Sequence, residues 1–145
     1  MDEEFDYAEY DRLQNEKSAN EAQQSQCQSE INSLDDEISM LEEAYETIKD
    51  AKSYVKDIKK EISKIPDKEL DGWKGSVFES LRESSEDTGL KQIYDSYIDN
   101  INTVEDAINW DINHKKEERT EKYGILCGLK NTWDDLCTWI GNLFN

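Results

Sequence analysis

Apolar residues fall into two long stripes separated by a short interruption. Ile31, Leu34, Ile38 and Leu41 are spaced three, four and three residues apart. Ala44, Ile48, Ala51, Val55, Ile58, Ile62 and Ile65 continue the alternation after one slip at Leu41, where two steps of three adjoin. This spacing predicts a long helix with a two-position apolar seam. The slip is expected to overwind the seam locally. Tyr45 and Tyr54 widen the stripe. Pro66 cannot continue the helix and disfavours helical geometry at Ile65.

The second stripe opens at Trp73, Val77 and Leu81, with Phe78 alongside. It weakens through Ser84–Gly89 and resumes at Leu90, Tyr94, Tyr97, Ile101, Val104 and Ile108. Ile93, Ile98 and Ile112 broaden it. Gly89 costs about 1 kcal/mol against alanine inside a helix, which leaves continuity through 84–89 open. Asp71 is a candidate helix cap, and Gly72 and Gly75 suit turn geometry. The expected fold is all-α: a long antiparallel helical hairpin over residues 31–123, with its turn at about 66–75 and helical extensions at both ends.

The extensions differ. Residues 1–30 form an acidic, polar N-terminal extension, and its Gln-rich stretch 14–26 reads as either an exposed helix or a flexible segment. Residues 124–145 form an apolar amphipathic segment, in which Leu126, Leu129, Trp133, Leu136, Ile140 and Leu143 recur at helical spacing. It can fold back on the hairpin, dock a partner or lie on a membrane. Asp134, Asp135 and the scarcity of basic residues disfavour the membrane. Trp133, Leu136 and Ile140 are its candidate docking residues.

Charge narrows the function further. The chain has 35 acidic and 17 basic residues, for a net charge of −18. Nucleic acid and anionic membrane surfaces are poor partners for it. Apolar residues are 35% and charged residues 36% of the chain, too polar for a large globular core. Lys49, Lys52, Lys56, Lys59, Lys60 and Lys64 gather near the end of the first helix, where cations suit its dipole. The acidic start, Met1–Asp6, is unlike a Sec signal peptide, and no apolar run is long enough for a membrane span. Cys27, Cys127 and Cys137 make an odd set with no CxxC pair. If 126–143 is one helix, Cys127 and Cys137 stand about 15 Å apart, too far for a disulfide. Three cysteines and the single His114 supply no metal-site motif, no nucleophile–base pair is recognisable, and neither catalysis nor a cofactor is expected.

Leu70, Trp73, Gly75 and Phe78 carry a resemblance. They sit as in the WXG-type proteins of type VII secretion, in a turn between two helices. The chain is similar, more narrowly, to the YwqH-like accessory proteins encoded beside LXG-domain toxins in Gram-positive bacteria, over roughly residues 31–112. The resemblance implies an accessory and targeting chaperone that pairs with the helical LXG domain of an effector, in some cases with a second small helical accessory protein. It further implies a cytoplasmic protein that is a candidate for co-export and a secretion ATPase as a later partner. On this reading Ile38, Leu41, Ile48, Val55, Leu90, Ile101 and Val104 form the partner-binding stripes. The family's export motif is a tyrosine four positions before an aspartate or glutamate, usually after the second helix. Tyr7 and Asp11 fit it at an unusual N-terminal position, with Phe5/Glu9 and His114/Glu118 as looser variants. Two alternatives stand beside this reading: a cytoplasmic homodimeric coiled-coil scaffold, and an acidic antitoxin or enzyme regulator.

Overall fold

The computed structural model describes residues 4–63 and 88–145, with the side chains of 88–90 outside that description. It consists of two helices, α1 (Tyr7–Ser63) and α2 (Thr88–Asn142), packed as an antiparallel all-α hairpin, with no strand among the described residues. The expected turn at 66–75, with Leu70, Trp73, Gly75 and Phe78, lies outside the described residues. So does the weakened stretch up to Asp87.

Local chemistry explains where α1 starts. Asp6 Oδ1 accepts the backbone N–H of Glu9 at 2.9 Å, capping the first turn. Phe5, just before the cap, stacks on Tyr10 with ring centroids 5.6 Å apart, a hydrophobic staple that fixes the entry of the chain. Arg12 then bridges Glu9 and Glu16 along the exposed face. Glu9 is held below the usual carboxylate range by its hydrogen bond with Arg12.

Burial reveals a more regular seam than apolarity alone. On α1 the inward positions alternate by three and four without a slip, from Tyr10 and Leu13 through Ile38, Leu41, Tyr45, Ile48, Lys52, Val55 and Lys59 to Ile62. The expected double step of three at Leu41 does not occur. Ala51 is exposed, and Lys52 takes the seam position beside it. On α2 the same alternation runs from Lys91 to Leu143, passing through Glu105, Lys115, Arg119 and Lys122. Charged residues at seam positions had hidden the repeat.

The chain divides into two compact units. The first comprises Met1–Ser39 with Asn113–Asn145, and the second Met40–Ile112. In the first unit Cys27, Ile31 and Leu126 form a buried cluster with Leu129 packed against it. Ile31 is 0% exposed and Leu136 2% exposed. The N-terminal extension and the C-terminal segment are therefore one packed body. Residues 14–26 are helical, and 124–145 fold back onto the chain instead of forming a separate docking segment. The boundaries expected at 30 and 124 both fall inside continuous helices.

Polar groups in this unit set its register. Asn20 is buried, donates to the Leu129 carbonyl at 2.9 Å and accepts from Gln24 at 2.6 Å. Cys27 Sγ donates to the Lys122 carbonyl at 3.2 Å. Three half-buried cations of the α2 seam reach acids flanking the α1 seam: Lys115 to Glu37, Arg119 to Asp35 and Lys122 to Glu30. The partner number falls on α1 as the residue number climbs on α2, which is the antiparallel register written in charges.

Candidate interaction face

The second unit is built differently. Every buried residue of α1 lies in the first unit, and Ile112 is the sole buried residue among those described in the second. Leu41, Tyr45, Ile48 and Val55 of α1 and Ile98, Ile101 and Ile108 of α2 occupy its seam but remain half-buried. Ion pairs of two seam lysines interrupt them. Lys59 pairs with Asp95, and Lys52 Nζ stands 3.4 Å from Glu105 Oε1. The second contact lacks hydrogen-bond geometry, and Glu105 Oε1 has no hydrogen-bond partner. A half-satisfied ion pair at this depth holds the helices together weakly, because desolvation offsets much of the attraction.

The two flanks of this seam have opposite character. The residues just after each seam position are polar throughout: Glu42, Glu46, Lys49, Ser53, Lys56 and Lys60 on α1, with Asp95, Asp99, Asn102, Asp106 and Asn109 on α2. Lys56 and Lys60 line one groove with Asp95 and Asp99, so this flank of both helices lies on the same side. The residues just before each seam position then face the other side. On α1 they are Met40, Ala44, Thr47, Ala51, Tyr54 and Ile58. On α2 they are Ile93, Tyr97, Asn100, Val104 and Ala107. None of these eleven is charged, in a chain in which 36% of residues are charged; the same positions at the two ends of the unit are the acids Glu61 and Asp111. Met40 (69%), Tyr54 (68%) and Tyr97 (59%) are largely exposed.

This pattern adds a third apolar position to each two-position seam. A lone two-stranded coiled coil needs only the seam, whereas a helix inside a larger bundle needs the wider stripe. An exposed apolar surface spanning two helices is the kind of patch that marks an interface.

The sequence-predicted site residues are distributed unevenly over this geometry. Of the expected partner-binding stripe, Ile38 is 4% exposed and belongs to the core of the first unit, so it is not available to a partner. Leu41, Ile48, Val55 and Ile101 are half-buried in the seam between α1 and α2. The reason is physical: the strongest apolar residues close the hairpin first, which leaves a partner the weaker stripe beside them. Val104 is exposed and does lie on the outer face. The side chain of Leu90 lies outside the described residues. Leu136 is buried and Trp133 and Ile140 are half-buried within the first unit, so their docking is intramolecular. Trp133 donates its indole N–H to Glu21 at 3.0 Å and lies under Lys17 at 5.2 Å.

Tyr7 and Asp11 are both exposed, one turn apart at the start of α1, where Phe5 packs against Tyr7, Tyr10 and Phe144. The three cysteines are free thiols. Among the described residues no cluster of His, Cys, Asp or Glu is arranged to hold a metal ion, and no helix is long and apolar enough to cross a membrane. In comparisons with known proteins, no family model, no curated protein and no solved structure matches the chain.

Proposed function

We propose that the protein is an accessory chaperone that binds the helical LXG-type domain of a type VII secretion effector and assists its recruitment for export. The observation that carries this reading is the incomplete burial of the second unit. Most of its seam residues stay half-buried and a stripe without charge runs along both helices between Glu61 and Asp111, whereas every buried residue of α1 lies in the first unit. A helical hairpin with one open apolar side completes its core when a second helical element covers it. The Leu70–Trp73–Gly75–Phe78 spacing supplies the link to secretion accessory proteins, and the exposed Tyr7/Asp11 pair supplies a candidate contact for the secretion ATPase.

The test is co-expression of the full chain with the products of adjacent genes, followed by affinity capture. Recovery of a stoichiometric complex with an LXG-domain protein is the expected result. Tyr54→Glu is expected to abolish the complex while leaving the helix content unchanged. A stable homodimer that captures no such domain would instead establish the scaffold reading.

A further inference from the structure

The open face of the second unit has unlike borders. Beyond its α1 edge stand Glu43, Asp50 and Asp57, all exposed and spaced seven residues apart, on one side of the helix. Beyond its α2 edge the equivalent positions are Ser96, Thr103 and Trp110, none of them charged. Next to the seam on α1 stand Ala44, Ala51 and Ile58, with Met40, Thr47 and Tyr54 further out. Between Glu61 and Asp111 it is therefore an apolar face with an acidic border along its α1 edge and an uncharged one along its α2 edge.

From this asymmetry we infer that the face takes an amphipathic helix of a different protein, whose apolar stripe is bordered by lysine or arginine along the edge that meets α1 and by uncharged residues along the other. The inference rests on the reading of this face as a helical-partner surface and adds the chemistry of the partner. Charge complementarity fixes which way round the partner sits and raises its rate of encounter. A second copy of this chain is a poor occupant. Two-fold symmetry would set Glu43, Asp50 and Asp57 either against their own copies or against the uncharged α2 border. The first arrangement repels, the second gains nothing, and each copy brings a net charge of −18.

Three synthetic helical peptides of identical leucine–alanine stripe test this, titrated against the full chain by fluorescence anisotropy. One carries lysine along a single border, one carries glutamate there, and one has its stripe scrambled. The lysine-bordered peptide is expected to bind about tenfold tighter than the glutamate-bordered one at low salt, with the advantage shrinking as salt is added. The scrambled peptide should not bind. The triple variant Glu43→Lys, Asp50→Lys, Asp57→Lys should reverse the preference, and Ala51→Glu should remove binding of both striped peptides. Equal binding of the lysine and glutamate peptides overturns the inference, as does lysine-peptide binding that survives Ala51→Glu. Absence of any peptide binding overturns it too, and a concentration-dependent dimer lost on Ala51→Glu would then assign the face to a second copy. Peptide discrimination without capture of any LXG domain would leave the face standing and sink the secretion reading. Capture of an LXG domain unaffected by Ala51→Glu would do the reverse.

Discussion

Asn20 shows at the scale of one residue how this chain exchanges stability for specificity. It is a polar side chain in a closed seam, and its bond to the Leu129 carbonyl is satisfied in one register of α2 against α1. Asn20→Leu should raise stability by about 1 kcal/mol, since it buries apolar surface at a closed seam position. It should also loosen the choice of register. Thermal unfolding should give a higher Tm, and sedimentation velocity should resolve more species than for the parent protein. A lower Tm would mean that the amide contributes more than it costs. Lys122 and Glu30 offer a second residue-level test. Glu30 is held below its usual range chiefly by its hydrogen bond to Lys122 and then by Gln26. Lys122 is raised chiefly by Glu30. A lowered carboxylate stabilises the fold at pH above its ordinary range, and that contribution is lost as pH falls through the lowered folded value. A raised ammonium stabilises the fold below its ordinary range and loses effect as pH climbs through the raised value. The pair should therefore contribute across the neutral range and fade at both extremes. Urea midpoints measured against pH for Glu30→Gln should converge on those of the parent in acid and diverge near neutrality.

At the scale of the element, the two units predict different responses to the same kind of truncation. Leu136 is sealed, so Leu136→Ala should cost about 2–5 kcal/mol. Ile48 is half-buried, and Ile48→Ala should cost roughly half as much. Urea denaturation of both variants checks the order, and equal losses would contradict the contrast in burial. The helices themselves were legible in the sequence, since the three-and-four spacing of Ile31–Leu41 and of Leu126–Leu143 is carried by apolar residues. The repeat between was harder to follow. Lys52 and Lys59 occupy seam positions, so the eye moves to Ala51 and Ile58 and finds a slip that the packing does not contain. Lys115, Arg119 and Lys122 conceal the seam of α2 in the same way, because long cationic side chains can bury their stems while their heads reach flanking acids. The start of α1 was readable as Phe5-Asp6 followed by Glu9-Tyr10, a staple and cap masked by the acidity of the surrounding tail. The interaction face was the least legible feature. Its strongest apolar neighbours belong to the internal seam, and no periodicity in one helix reveals which flank of another will lie beside it.

The whole molecule contains a chemical clock in its cysteines. Cys27 is buried, with its Sγ against the Lys122 carbonyl, while Cys127 is exposed. A thiol reagent should modify Cys127 at the rate of an open peptide. Cys27 should react only during excursions that part the helices of the first unit. The ratio of the two rates then measures how often that unit breathes, without denaturant and with no probe attached. In a Cys137→Ser background, mass spectrometry after timed quenching should give a fast single addition and a slow second one. The slow step should quicken in Leu136→Ala and stay unchanged in Tyr54→Glu. The sequence thus carries its own stopwatch for local opening, wound by one hidden sulfur and read against one in plain view.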